Sequence, residues 1–158
     1  FDIVEMARRL IRKSRLVLEE RGIDASTEGE ERSLVSADYD MIEQVLTNYI
    51  TNAIDHAAGD NVLRVRIDSG AEKVRVSVFN SGDRIPPEGI DSIWTSFYKI
   101  DKARTREHGG TGLGLSIVKA IQDAHGNAYG AANVQGGVEF WLEVDAAPET
   151  DLDMNPSR

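Results

Sequence analysis

Two asparagines separated by one helical turn have a spacing that would let their side chains act together on a ligand. Asn48 and Asn52, followed by Asp55 and His56, occupy positions i, i+4, i+7 and i+8, which share one face of a helix. Asparagine is about half a kcal/mol worse than alanine inside a helix, so this pair indicates a role for the side chains. An amide oxygen is a hard, neutral ligand, suited to a Mg²⁺ ion that also holds phosphates. The alternative is an ordinary solvated helix face.

A glycine run that leads into a helix is the second candidate. Four of the six residues from Gly109 to Gly114 are glycine, and an apolar helical pattern follows. Such a run is expected where backbone amides approach a ligand closely, and a helix N-terminus favours phosphate. A flexible hinge is the alternative. The spacing matches neither G-x-x-x-x-G-K-[ST] nor G-x-G-x-x-G, which excludes a P-loop and a dinucleotide-binding turn.

Two more segments carry polar or charged side chains. Residues 97–106 hold four cations against one acid, in a chain whose net charge is −9. They would screen a triphosphate, or else form a solvated basic lid. Asn80 ends an alternating apolar pattern and precedes Ser81 and Gly82. Its side chain would form hydrogen bonds with the edge of a ligand, or else make an ordinary Asx turn.

Hydrophobic periodicity predicts the elements that position these residues. Helices are predicted over residues 2–21, 38–59, 88–96 and 113–125, strands over 62–67, 74–79, 128–134 and 138–144, and a small hairpin or paired strands over 23–27 and 33–37. Residues 80–112 have weak periodicity, which is typical of a functional lid. The order of elements predicts an α/β (α+β) two-layer sandwich, with a mixed, mostly antiparallel sheet of about five strands plus a hairpin, covered on one face by three helices. We expect one domain over residues 1–145 and a flexible tail over 146–158.

Composition excludes several classes of function. The 158 residues are 41% apolar and include no cysteine, which fits one globular domain and excludes disulfides, a thiol nucleophile and a cysteine zinc site. A cytoplasmic location is therefore the default. The acidic net charge argues against nucleic acid as a partner, and no apolar run is long enough to predict membrane contact. The chain begins at Phe1, inside an amphipathic pattern, so we expect a fragment of a longer protein.

Four segments together resemble a known family. They are N-Y-I-T-N-A at 48–53, N-S-G-D-R-I-P at 80–86, F-Y-K at 97–99 and G-G-T-G-L-G-L-S-I-V-K at 109–119. Their order and spacing resemble the N, G1, F and G2 boxes of bacterial sensor histidine kinases. The resemblance implies the Bergerat fold of the GHKL superfamily, shared with gyrase, mismatch-repair and heat-shock ATPases. It also implies an ATP lid, with ATP and Mg²⁺ as cofactors.

The resemblance assigns roles to individual residues. Asn52 would bind Mg²⁺, Asn48 would assist at the metal or the phosphates, and Lys99 would contact the γ-phosphate, which makes Asn48 and Lys99 the catalytic candidates. Asn80 would accept a hydrogen bond from the adenine amino group, and His56 would stack on adenine. The full nucleotide-contacting set implied by the resemblance is Asn52, Asp55, His56, Asn80, Gly82, Ile85, Tyr98, Arg104, Gly110, Thr111, Gly112, Leu113, Gly114 and Leu115.

The chain departs from the family pattern at several positions. Asn80 replaces an aspartate, Arg84 replaces the second glycine of the G1 box, and Asp55 stands where a phosphate-binding lysine is frequent. Val138 and Glu139 occupy a region where many relatives have threonines. Because a neutral amide oxygen is a weaker acceptor than a carboxylate, we expect modest ATP affinity or a shifted adenine.

The resemblance implies transfer of the γ-phosphoryl group to a histidine on a separate dimerisation domain, and then to a response regulator. We expect none of His56, His108 and His125 to be that acceptor, because none is followed by an acidic residue. The family also implies the cytoplasmic part of a membrane-anchored sensor. The alternatives are a GHKL serine kinase or ATPase and a degenerate nucleotide-sensing interaction module. Asn48 stands where gyrase-type ATPases have a glutamate base, so we expect poor hydrolysis.

Overall fold

Alternation of buried and exposed residues builds the sheet. In the computed structural model, which describes residues 1–95 and 114–148, the strands are β1 (Asp24–Gly29), β2 (Val62–Ser69), β3 (Lys73–Ser81), β4 (Tyr129–Val134) and β5 (Gly137–Asp145). Their spatial order is β1-β2-β3-β5-β4. Strand β1 is parallel to β2, and the other neighbours are antiparallel. The predicted mixed, mostly antiparallel sheet is confirmed.

The helices lie on one face of the sheet. Within the described residues they are α1 (Ile3–Lys13), α2 (Arg15–Glu20), α3 (Tyr39–His56) and α4 (Gly114–His125), with a 3-10 turn at Pro87–Gly89. Strand β2 buries Leu63, Val65 and Ile67 and exposes Arg64 and Arg66, so its other face is open. The predicted two-layer sandwich is confirmed. None of the described helices is long and apolar enough to cross a bilayer.

Helix α3 is the centre of the helical layer. The Asp38 carboxylate accepts from the N–H of Met41 at 3.0 Å and caps its N-terminus. Its buried stripe includes Tyr49, whose hydroxyl donates to the carbonyl of Trp141 on β5 at 3.0 Å. This contact fixes the rotation of the helix and leaves Asn48 and Asn52 half-buried beside the stripe.

Two contacts show that α4 runs antiparallel to α3. The Asn48 amide nitrogen donates to the carbonyl of Gly114, the first residue of α4, at 3.2 Å. At the other end, the N–H of Asp38 donates to His125 Nε2 at 3.4 Å. The amide of Gln122, fully buried on α4, donates to the carbonyls of Ala128 and Glu143 and so joins α4 to the sheet.

The predicted hairpin over residues 23–37 is wrong. Strand β1 instead pairs in parallel with β2, while Leu34 and Val35 make isolated bridges to Asp2 and Ala146. The Asp2 carboxylate explains part of this, because it accepts from the N–H groups of both Val4 and Ser33 at 3.0 Å and so draws the segment to α1. Sequence periodicity does not reveal such a distant partner.

The prediction of a single helix over residues 2–21 is also wrong, because the helix is interrupted at Ser14. That residue has φ −91° and ψ 5° and separates α1 from α2. Serine competes for backbone hydrogen bonds and is favoured at helix ends. The predicted end at Gly22 is confirmed by its φ of +64°.

Backbone pairing continues beyond β5. The N–H of Ala146 donates to the carbonyl of Glu72 at 2.9 Å, and that of Ala147 donates to the carbonyl of Leu34 at 3.0 Å. The domain boundary at residue 145 stays a prediction.

Tyr49→Phe should destabilise the fold by about 1–2 kcal/mol, because it removes the hydrogen bond that the buried phenol donates to the carbonyl of Trp141. Urea unfolding at pH 7 measures this. Tyr39→Phe, at a tyrosine that is 43% exposed, is the control and should change stability by less than about 0.5 kcal/mol.

Burial raises the pKa of the Tyr49 phenol well above its ordinary value. The neutral phenol therefore contributes stability that is fully present below about pH 10 and declines above it. The difference in free energy of unfolding between wild type and Tyr49→Phe should therefore become smaller above about pH 10. If the difference in free energy of unfolding became larger above that pH, the raised pKa assigned to Tyr49 would be contradicted.

Candidate nucleotide-binding site

The predicted site residues on β3 lie at one edge of the sheet. Asn80 pairs with Leu63 at the start of β2 and with Val138 at the start of β5, and Ser81 pairs with Gly137. The C-terminal end of α3 reaches the same edge, where the N–H of Ala58 donates to the carbonyl of Ser81 at 3.0 Å. The N-box helix and the G1 segment therefore meet at this edge.

Ser81 joins three segments at this edge. Its hydroxyl donates to the carbonyl of Ala58 at 2.9 Å and accepts from the N–H of Val62 at 2.8 Å, while the residue is only 4% exposed. The hydroxyl thus fixes the chain after α3 to the end of β3. Sequence reasoning did not assign this role to Ser81.

Close backbone approach explains two glycines here. A Cβ on Gly137 would lie 2.0 Å from the carbonyl oxygen of Asn80. A Cβ on Gly82 would lie 2.9 Å from the carbonyl oxygen of His56, and Gly82 has φ +131°. Both positions exclude residues larger than glycine. At Gly82 the clash would be with His56, so the turn after Asn80 packs directly on the end of α3.

Asn80 carries the polar group at the strand end. The residue is 1% exposed, and its amide nitrogen donates to the carbonyl of Ser81 at 3.2 Å. With the nitrogen engaged, the amide offers its oxygen as an acceptor. This geometry fits the predicted acceptor for an amino group on a ligand.

Asn48 and Asn52 form a polar edge on α3 beside the N-terminus of α4. The bond from Asn48 to Gly114 engages the amide nitrogen, and a Cβ on Gly114 would lie only 3.6 Å from Asn48 Oδ1. Leu115, the next residue, packs half-buried against the core. The first turn of α4, which carries free N–H groups and the positive end of the helix dipole, therefore lies beside this part of α3.

Asp55 is engaged by a cation that sequence reasoning missed. Arg21, after α2, approaches the Asp55 carboxylate at 3.5 Å and donates to the carbonyl of Ile54 at 3.3 Å. The Asn61 amide in turn donates to the carbonyl of Arg21 at 3.3 Å. The pair reduces the repulsion that a lone carboxylate would exert on an anion. Asp55 as a nucleotide contact stays a prediction, as does His56, which is half-buried next to it.

Ile85 is held by a second missed residue. Its N–H donates to Oδ1 of Asn133 on β4, and its carbonyl accepts from Nδ2 of the same side chain, both at 2.8 Å. The Ile85 side chain is 3% exposed. The loop after Gly82 is thereby fixed to the β4–β5 hairpin.

Seven of the predicted site residues fall outside the described parts of the chain. They are Tyr98, Lys99, Arg104, Gly110, Thr111, Gly112 and Leu113. Their roles remain predictions.

Among the described residues, no group of three or more His, Cys, Asp or Glu side chains comes together. The amide oxygens of Asn48 and Asn52 are hard ligands. A site with so few protein ligands fits Mg²⁺, which keeps waters and phosphates in its coordination sphere.

Comparisons with known proteins agree with this geometry. A family described as "Histidine kinase-, DNA gyrase B-, and HSP90-like ATPase" matches residues 37–148. The sensor protein VanSB of Enterococcus faecalis is 38% identical over 111 residues, which cover 70% of this chain and 25% of that protein. The sensor histidine kinase WalK of Bacillus subtilis is 36% identical over 124 residues, covering 75% and 20%. The chain thus spans a quarter or less of these relatives.

Solved structures agree as well. The catalytic domain of histidine kinase ThkA superimposes with a TM-score of 0.82 at 36% identity, covering 94% of this chain and 95% of that one. ThkA in complex with the response regulator protein TrrA matches with a TM-score of 0.77 at 31% identity, covering 94% and 42%.

The fold and the site define an ATP-binding α/β sandwich of the Bergerat type. The chain belongs to the histidine kinase-, DNA gyrase B- and HSP90-like ATPase family. Within that family it is a catalytic, ATP-binding domain of the sensor histidine kinase type, as the four sequence boxes predicted.

Ser81→Ala should lower the free energy of unfolding by about 1–3 kcal/mol, because it leaves the N–H of Val62 without its acceptor and removes one of the donors to the carbonyl of Ala58. Ser77→Ala is the matched control, since Ser77 is also buried on β3 and has no side-chain hydrogen bond to the described residues. Urea unfolding of both variants measures the difference. Equal losses in the two variants would contradict the role given to Ser81.

Proposed function

We propose that this domain binds Mg-ATP at the edge formed by α3, the end of β3 and the N-terminus of α4, and donates the γ-phosphoryl group to a histidine of its own longer protein. The single observation that carries the proposal is the hydrogen bond from Asn48 to Gly114, which holds the N-box helix against the helix that follows the glycine run. Both elements carry groups suited to phosphate.

The adenine lies at the end of β3 in this proposal. The buried Asn80 amide, with its nitrogen engaged by Ser81, accepts a hydrogen bond from the adenine amino group. Gly82 lets the chain turn against the end of α3, where a side chain would clash. In this proposal the loop through Ile85 borders the base. A neutral acceptor in a well-packed site predicts binding that is specific but of modest affinity.

The phosphates lie between Asn52 and the first turn of α4. The N–H groups at the start of a helix, together with its dipole, favour negative charge. When Mg²⁺ is bound, it neutralises phosphate charge, and the oxygens of Asn52 and Asn48 would hold it together with the phosphates. Lys99 and Arg104 would add positive charge, and the amides of residues 110–115 would surround the phosphates.

Catalysis in this proposal consists of positioning and charge neutralisation. Phosphoryl transfer requires little covalent chemistry from the protein, which fits a site built from amides and helix ends. Asn48 carries no carboxylate that could activate water, so ATP hydrolysis should be slow. The relative WalK is named as a sensor histidine kinase, which favours a histidine acceptor over serine.

The acceptor histidine lies elsewhere in the longer protein in this proposal. Both ring nitrogens of His125 are occupied, Nδ1 by the carbonyl of Ile121 at 2.9 Å and Nε2 by the N–H of Asp38. His56 also has a partner within the described residues. The phosphoryl group would then pass to a response regulator, as the complex of ThkA with TrrA supports. The domain would face the cytoplasm as part of a membrane-anchored sensor, without contacting the membrane or nucleic acid itself.

Asn52→Ala should weaken ATP binding in the presence of Mg²⁺ by about tenfold or more and leave metal-free binding unchanged, because it removes one ligand of the metal. Calorimetric titration with and without Mg²⁺ measures both. Gln44→Ala is the control, an exposed amide two turns earlier on α3. Wild-type protein that is folded and gives no binding heat would contradict the proposed function.

The isolated domain should incorporate no phosphate from γ-labelled ATP, whereas the longer protein should incorporate acid-labile, base-stable phosphate. Asn52→Ala in the longer protein should abolish that label. Acid-stable label would indicate serine or threonine phosphorylation and contradict the histidine assignment.

A further inference from the structure

Asn133 contacts the proposed adenine pocket from a strand that contributes none of the predicted site residues. Its side chain makes two hydrogen bonds to the backbone of Ile85, one accepted by Oδ1 and one donated by Nδ2, both at 2.8 Å. The two residues are 48 positions apart in sequence. Within the described parts of the chain, this loop has no strand beside it. The side-chain amide of Asn133 therefore makes the two hydrogen bonds to Ile85 that the backbone of a neighbouring strand would make in a sheet.

The same hairpin holds this loop at a second point. The N–H of Gly82 donates to the carbonyl of Gly136, in the turn between β4 and β5, at 3.1 Å. Gly82 follows Asn80 and Ser81 directly, and Ile85 comes three residues later. The chain from Gly82 to Ile85 is thus fixed at both ends by the β4–β5 hairpin, next to the buried Asn80 amide.

The chemistry of the contact restricts residue 133. Asparagine presents one donor and one acceptor at the spacing of a peptide group, whereas aspartate presents two acceptors and would repel the carbonyl of Ile85. Both backbone groups of Ile85 belong to a residue that is 3% exposed, so water replaces the lost bonds poorly. Loss of either hydrogen bond should therefore release the loop from the hairpin, because water would not take the place of Asn133.

We propose that Asn133 is a positioning residue for nucleobase recognition: by holding Ile85 it sets the wall of the adenine pocket and so the preference for adenine over guanine. This inference rests on the proposed function, because it assumes that the base lies beside Asn80. Asn133 acts through the loop, since its two side-chain hydrogen bonds go to Ile85 and not to Asn52 or the start of α4. Its loss should therefore affect base recognition and spare the phosphate end.

The test compares Asn133→Ala and Asn133→Asp with wild type. Asn133→Asp keeps the size of the side chain, so it separates the lost donor from lost volume. Asn127→Ala is the control, because Asn127 is a buried amide that accepts from Lys73 at the opposite end of the sheet. For each protein, the unfolding midpoint is measured together with the Kd for Mg-ATP, directly, and for Mg-GTP, by competition up to millimolar concentration.

Both Asn133 variants should raise the Kd for ATP about tenfold, the equivalent of one lost hydrogen bond, and leave the Kd for GTP unchanged, so that the preference for ATP falls. Asn127→Ala should lose stability without any change in that preference. An unchanged Kd for ATP, or equal weakening of ATP and GTP, would overturn the role of Asn133 alone. Wild-type protein that binds neither nucleotide would overturn the proposed function and this inference together.

Discussion

Helix α3 is buried against β3, α1 and α4, and the position of the site depends on that burial. The hydrogen bond from Tyr49 to β5 sets the rotation of the helix, so the polar residues 48 and 52 are held at the border of the buried stripe. Asn48 then contacts the start of α4, and the end of the helix reaches β3 through Ala58 and Ser81. A rotation of α3 would disconnect both ends of the proposed nucleotide site.

The polar groups at this edge are mostly neutral amides. Asn48, Asn52 and Asn80 can accept from a ligand or a metal without adding charge, and the carboxylate of Asp55 is paired with Arg21. This matters in a chain with a net charge of −9, because an unpaired carboxylate at the site would repel a triphosphate. Local pairing and helix ends therefore compensate for an unfavourable global charge.

The sequence predicted those parts of the structure that local pattern controls. The alternation in β2 and β3, the apolar stripe of α3 and the glycine turn before β5 all identified real elements. The break at Ser14 is local, and the apolar periodicity that continues through it concealed it. The error at residues 23–37 has another cause, since the Asp2 carboxylate and the parallel partner of β1 are distant in sequence. Arg21 and Asn133 were missed for the same reason, although an asparagine inside a strand is an unusual choice that could have drawn notice.

We infer that nucleotide binds where α3, the end of β3 and the start of α4 meet. Heteronuclear NMR of the side-chain amides tests it directly, with Mg²⁺ and a non-hydrolysable ATP analogue added to labelled protein. Binding there should shift the Nδ2 signals of Asn48, Asn52 and Asn80 and leave that of Asn127, at the opposite end of the sheet, unchanged. Shifts at Asn127 with none at Asn52 and Asn80 would contradict it.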